Sequence, residues 1–412
     1  MTKLNKYIVF LLTLIFVQFF KIKLYPIFVD HTKLCAIGVF LLCAFYFMFN
    51  ARKNNKLLFQ NHLFVYLFFA IVNMITCYIF RGQSMIISFW AWNNLLLIFL
   101  YFGFSNFRLS IKDLEKIIQW LFFVILISYI IQNLVYPTLL FNLNIVEEQL
   151  EKDLRVRIFS DGILSLGGIY YLNKFFEEKK KRYVIYCCLF VIIVFLQGFR
   201  MILFATLVST LVMYYSYYCL KIRKIIYYGM LSCVLIGVFM QTDMYQNRIA
   251  KTLERTENEN LYNQDYVRVA SIYYFYNSHF QSDTEMILGS GCSLWNDKPV
   301  STYSDYMRGL KDSYHFFPVD WGLIGLSWEA GILFTLCFIL LIVRVIFLKV
   351  DKQYYYVRIW SFFLLIIGVT HPMSYCHSNL IYMAIVLLIA ERAHLKYVQN
   401  EQMVDARHLN DK

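Results

Sequence analysis

Apolar stretches recur through almost the whole chain, and the connectors between them are alternately rich and poor in Lys and Arg. A helix needs about 20 mostly apolar residues to cross a ~30 Å hydrocarbon core. A bilayer offers no partner to a bare backbone, so closed helices are the natural way across. No ~10-residue alternating segments of the kind that build a membrane barrel are evident. The pattern therefore predicts an all-α, polytopic membrane protein. Composition agrees: 59% of residues are hydrophobic and 16% charged, against about 25% charged in a soluble domain.

Twelve spans are expected, at about 7–24, 34–49, 63–80, 86–104, 118–136, 158–176, 183–198, 200–219, 225–241, 319–343, 359–371 and 378–391. Gln197-Gly198 ahead of Arg200 reads as a tight turn between two spans, and His371-Pro372 as another. If the N-terminus is inside, the cytoplasmic segments carry 23 Lys and Arg, and the five short external connectors carry 8. That asymmetry predicts both termini in the cytoplasm. The net charge of +12 then follows from topology and anionic headgroups, not from nucleic-acid binding. The first stretch has no small-residue cleavage site behind it and is expected to stay as a helix.

The chain divides into spans one to nine (1–241), one large external loop (242–318), spans ten to twelve (319–398) and a tail (399–412), expected to be disordered and cytoplasmic. No internal repeat is evident, which counts against transporters built from two related halves. Of ten cysteines, most fall inside spans and read as small packing residues. Cys292 and Cys376 read as external, and spacing gives no ground to join them. His371, Cys376 and His377 match no common metal spacing.

The loop is where polar groups interrupt the apolar pattern. It opens polar and charged, and from Asp265 to Tyr276 apolar and aromatic residues recur at helical spacing, as in a helix lying on a membrane or capping a cavity. Leu288-Gly289-Ser290-Gly291-Cys292 reads as a turn. Asp312-Ser313-Tyr314-His315 then leads to Pro318 and span ten.

Three arginines stand out. Arg200 sits at the outer end of two apolar spans, where an ionisable group is costly and marks a functional site, or snorkels to the headgroups. Arg157 precedes span six and also fits an interface anchor. Arg268 lies on the aromatic loop helix, as a ligand or a solvated residue. Guanidiniums converging on one face would suit a polyanion, because the planar fork grips phosphate oxygens bidentately. A lipid-linked phosphate or pyrophosphate is the natural ligand there.

Four local patterns resemble the Wzy-type polysaccharide polymerase and O-antigen ligase superfamily. They are Arg157-Ile158-Phe159-Ser160-Asp161-Gly162; Gln197-Gly198-Phe199-Arg200; Arg268 followed by Gly289-Ser290-Gly291; and Asp320-Trp321-Gly322-Leu323-Ile324-Gly325 with Glu329-Ala330-Gly331-Ile332. The resemblance covers about residues 150–335. It departs at His315-Phe316, where many ligase members carry His-Asn.

The resemblance implies glycosyl transfer between oligosaccharides linked to undecaprenyl pyrophosphate, at the outer face of the bacterial inner membrane. It implies a pyrophosphate held by Arg200, Arg268 and Arg157, with His315 or Asp320 as general base. No cofactor and no metal is expected, and a chain-length regulator is a possible partner. Two rivals remain open: ligase-type transfer to another acceptor, and a flippase for the same lipid-linked substrate.

Overall fold

The computed structural model describes residues 2–17, 19, 32–50, 57–135, 138, 140, 161–197, 200–218, 267–294 and 300–410. Every regular element among them is helical. The ninth expected span and the first part of the loop lie outside the described residues. So does Arg157.

The described helices outside the loop overlap the expected apolar stretches, with bounds that shift. They are α1 (Thr2–Phe16), α2 (Thr32–Asn50), α3 (Gln60–Arg81), α4 (Met85–Ala91), α5 (Leu100–Ser105), α6 (Ile111–Leu134), α7 (Asp161–Glu178), α8 (Lys181–Gln197) and α9 (Arg200–Tyr218). After the loop come α13 (Gly322–Ala330), α14 (Ile332–Ile346), α15 (Tyr355–Ile367) and α16 (His377–Asn410). The loop itself holds α10 (Val267–Tyr274), α11 (Asp283–Leu288) and α12 (Thr302–Tyr314). Among the described residues, five helical segments are long and apolar enough to cross a bilayer: Gln60–Arg81, Met85–Ser105, Ile111–Leu134, Met201–Tyr218 and His377–Met403.

α16 is the central column. It packs against α5, α6, α7 and the Trp92–Phe99 turn of helix. From Leu380 to Ala390 no residue is more than 1% exposed. Its sequence there is apolar on every side, the signature of a helix with no solvent face. The outer helices do the reverse. On α3 the inward face holds Leu63, Tyr66, Ala70 and the polar Asn73, while Phe64, Phe68, Ile71, Ile75 and Ile79 stand exposed in a stripe. α1 shows Leu4, Tyr7, Leu11 and Ile15 in the same way. Apolar stripes of this length on several helices are lipid-facing surface. The chain is a multi-pass membrane protein.

Three departures from the expected pattern have physical causes. The fourth span is not one α-helix: Trp92–Phe99 is a 3-10 segment of 8 residues, long for its kind. Side chains hold it, since the Tyr66 hydroxyl donates to Leu95 O at 2.9 Å and the Trp92 indole donates to Asn73 Oδ1 at 3.1 Å. Span ten is two helices broken at Gly331, whose φ of +94° suits glycine alone. The tail is not disordered through 410; α16 runs on to Asn410.

The connectors sort onto two ends. At one end, Leu58 N and the Tyr101 hydroxyl both donate to the Glu391 carboxylate, at 2.9 Å and 2.7 Å. Lys6 pairs with Asp113 and the Tyr217 hydroxyl donates to Lys352 O. At the other end, Arg81 and Gln83 meet the loop, and residues 368–377 meet the start of α13. The fold thus groups together the connectors that charge had already grouped.

Candidate functional site

The described part of the loop folds into a cap with its own small core. Ser282 caps α11 by accepting from Glu285 N at 3.2 Å, and Ser301 caps α12 by accepting from Ser304 N at 3.1 Å. On α12, Tyr303, Met307 and Leu310 share one face. They bury against Phe275, Trp328 and Cys77 of α3. Phe275 stacks on Trp328 with centroids 4.4 Å apart.

A buried ion pair fastens this cap to the bundle. Arg81 Nε donates to Glu285 Oε1 at 2.5 Å, with the two side chains 9% and 0% exposed. Arg81 Nη2 also donates to His279 O, and the guanidinium lies 5.6 Å from the ring centroids of both Tyr303 and Tyr306. Two residues past the end of α3, Gln83 donates to Cys292 O at 3.0 Å and accepts from the Ser301 hydroxyl at 3.1 Å. Cys292 is therefore buried under the cap rather than displayed outside, and it and Cys376 are not joined in a disulfide.

The Gly-x-Gly segment is a bend at Ser290 between two glycines of positive φ, and it straps the loop to the broken helix. Ser290 N donates to Trp328 O at 3.1 Å and Gly291 N to Glu329 O at 2.8 Å. Those carbonyls would serve residues 332 and 333 in an unbroken helix; the break at Gly331 frees them for the strap. Asn73 completes the seal, its Nδ2 donating to Leu288 O at 2.8 Å and to Glu329 O at 2.9 Å. Contact is backbone to backbone. A Cβ on Gly289 would sit 2.3 Å from Gly331 N, and one on Gly331 would sit 2.4 Å from Leu288 O.

After α10 the chain widens into a π-helical turn, Phe275–His279, a form found mostly at functional positions. His279 is 2% exposed. Its Nδ1 is 3.0 Å from the Tyr306 hydroxyl, which is 2.8 Å from the Tyr274 hydroxyl. Its Nε2 is buried without a hydrogen-bond partner. Burial, with the Arg81 charge beside it, pushes His279 down from 6.5 to about 3, so the ring is neutral at physiological pH.

The residues singled out from sequence fall as follows. Arg200 is the first residue of α9, and Arg268 the second of α10. α9 lies along α15, with the Tyr217 hydroxyl at the Lys352 end, so Arg200 opens its helix at the capped end. The Gly162 end of α7 is there too: a Cβ at Gly162 would collide with Asn379, which itself donates to Met373 O. Asp320 lies in the 3-10 turn Pro318–Trp321. Next to it, Leu323 N donates to Gly368 O at 2.7 Å and the Tyr375 hydroxyl to Gly322 O at 3.0 Å. His371-Pro372 is a turn, with the His371 side chain accepting from Met373 N. His315 is exposed at the end of α12, in the left-handed region at φ +56°; its backbone N–H donates to Lys311 O at 3.1 Å.

Arg81 and His279 were not singled out from sequence. By sequence Arg81 is an ordinary helix-end arginine, and no spacing marks a π-helical turn. Among the described residues, no cluster of three or more His, Cys, Asp or Glu could hold a metal ion. No family model, no curated protein and no solved structure matches the chain.

Proposed function

We propose that the protein is a glycosyltransferase of the bacterial inner membrane that polymerises oligosaccharide repeat units carried on undecaprenyl pyrophosphate. The observation that carries this reading is the docking of Gly289-Ser290-Gly291 onto Trp328 and Glu329 at the Gly331 break. Two of the sequence patterns behind the family resemblance thereby become parts of one seam. The helix starts bearing Arg200 and Arg268, and the Gly162 end of α7, belong to the same end of the bundle.

In this reading both termini are cytoplasmic and the capped end is external. The donor's pyrophosphate is held by Arg200, Arg268 and Arg157. A hydroxyl of the acceptor repeat unit attacks the donor's anomeric carbon. A new glycosidic C–O bond forms as the C–O bond to pyrophosphate breaks, and the lipid pyrophosphate leaves with the bond's electron pair. The hydroxyl proton passes to His315 or Asp320. Guanidiniums fixed at the developing charge of the leaving group supply the electrostatic help this step most needs.

The test is gel analysis of surface polysaccharide from cells lacking the protein, complemented with wild type, Arg200→Lys or Arg268→Lys. Wild type should restore a ladder of chain lengths. Each lysine variant keeps the charge but loses the fork, and should shorten the ladder while inserting normally. Full-length ladders from both lysine variants would remove the pyrophosphate clamp. Loss of even single repeat units outside the cell, in the absence of the protein, would favour a flippase.

A further inference from the structure

We infer that His279 is a proton-operated release for the cap: protonating its buried ring undocks α10, α11, α12 and the Gly289-Ser290-Gly291 strap from α3 and from the helix break at Gly331. This inference stands apart from the glycosyl-transfer reading and needs no substrate.

The geometry sets two states against each other. In the docked cap the His279 ring lies between Phe275 at 4.8 Å, Phe280 at 5.0 Å and Tyr306 at 5.8 Å, centroid to centroid. A neutral imidazole has one N–H and one acceptor nitrogen. Nδ1 is satisfied in either role by the Tyr306 hydroxyl. A protonated ring has two N–H donors, and the one on Nε2 points at no acceptor. The new charge would also lie beside Arg81, whose guanidinium already holds the His279 carbonyl.

The groups facing this turn from α3, α10, α11 and α12 give the charge no relief; α13 brings Trp328 against it, with Glu329 acting on Tyr303 and Cys292 of the cap. From α3 comes Arg81, itself a cation. From α12 come Tyr303 and Tyr306, and from α10 Tyr274. From α11 comes Glu285, and both of its oxygens are engaged: Oε1 accepts from Arg81 and Oε2 from Gln281 N at 2.6 Å. An unpaired buried charge is relieved by exposing it to water. Here exposure means parting the cap from α3.

Docking holds the ring neutral, so the released cap binds a proton that the docked cap does not. The docked state keeps its full advantage above pH 6.5, the ordinary histidine value, and loses it as pH falls from there toward about 3. Over that window the docked-to-released ratio falls by up to about tenfold per pH unit.

The strap supplies its own reporters. The amides of Ser290 and Gly291 are sealed against Trp328 and Glu329, so they exchange with solvent only when the cap lifts. The experiment is hydrogen–deuterium exchange by mass spectrometry on the full-length protein in nanodiscs from pH 7.5 to 4.5. Rates are corrected for the intrinsic pH dependence of exchange. Wild-type peptides covering 281–294 should lose about tenfold in protection per pH unit below 6.5, while peptides from the core of α16 stay unchanged.

His279→Gln should remove the slope and remain protected at pH 7.5; His279→Phe, which keeps a ring in the aromatic pocket, should behave likewise. Constant wild-type protection down to pH 4.5 would overturn the inference. So would a slope that survives in His279→Gln, an onset below pH 5 as a carboxylate would give, or a parallel loss in α16. Should both variants fail to dock, the onset of the wild-type slope decides alone.

Discussion

Arg81 and Glu285 stand 204 positions apart in sequence and meet in an ion pair that is almost wholly buried. Removing one partner from a buried pair strands the other, at a typical cost of 3–5 kcal/mol. Arg81→Ala and Glu285→Gln should therefore each loosen the cap, raising its rate of limited proteolysis by about a hundredfold or more with the spans still inserted. Arg81→Leu combined with Glu285→Leu should cost less than the two single changes added, because neither charge is left alone. Proteolysis rates equal to wild type in both single variants would mean that the pair does not hold the cap.

The glycines of the strap and of the helix break meet where no side chain fits. Gly289, at φ +87°, and Gly331, at φ +94°, face each other's backbone. Gly289→Ala or Gly331→Ala must add a Cβ under 2.5 Å from a backbone atom at a strained dihedral worth about 1–3 kcal/mol by itself. Each should destabilise the cap strongly, seen as faster amide exchange at Ser290 and Gly291. Gly309, exposed on α12 with nothing within 4 Å of its missing Cβ, makes the control. Gly309→Ala should leave the cap intact or strengthen α12 by about 0.5–1 kcal/mol.

Much of the bundle was legible in the sequence because the signal is local. Hydropathy within each stretch decides where a helix forms, and the described helices from Thr2 to Tyr218 and from Gly322 onward fall close to the expected spans. Lys and Arg counts grouped connectors that the fold also groups: Arg81 and Gln83 with the loop, and Leu58 with Glu391. The helix α10 of the cap was legible as an amphipathic stretch, but the docking of the cap was not, since bonds such as Arg81–Glu285 and Gln83–Cys292 join residues about 200 positions apart. Arg81 looks like any helix-end arginine until Glu285 is beside it. Gly289-Ser290-Gly291 has turn composition and does bend, but that composition does not show that the carbonyls freed at Gly331 recruit its amides. His279 gave no signal at all; only burial and the π-helical turn distinguish it from His315.

Asn73 joins four elements with one amide. Its Nδ2 bonds Leu288 O and Glu329 O, and its Oδ1 accepts from Trp92. Asn73→Leu would leave the Leu288 carbonyl and the Trp92 indole N–H without this partner in a buried site, at about 1–3 kcal/mol for each group, and would take one of its two bonds from the Glu329 carbonyl, which keeps Gly291 N. The expected outcome is loss of the 3-10 geometry at Trp92 together with loosening of the strap. Thermal unfolding of the purified protein should show a clearly lowered midpoint. A melting curve that matches wild type would mean that water replaces the amide without loss.

The two ends of the bundle can be told apart from outside the cell. Thr284, on α11 of the cap, and Lys180, between α7 and α8, are both exposed and lie at opposite ends. If the capped end is external, Thr284→Cys should react in intact cells with a membrane-impermeant thiol reagent, above the background of the native cysteines. Lys180→Cys should react only after the membrane is opened. Thr284 is the better site than Ser282, whose hydroxyl caps α11 and whose loss would disturb the Glu285 latch. The reverse labelling pattern would put the cap and the Arg200 and Arg268 helix starts in the cytoplasm. Polymerisation at the outer face would then be untenable, because neither Arg200 nor Arg268 could reach a pyrophosphate presented there.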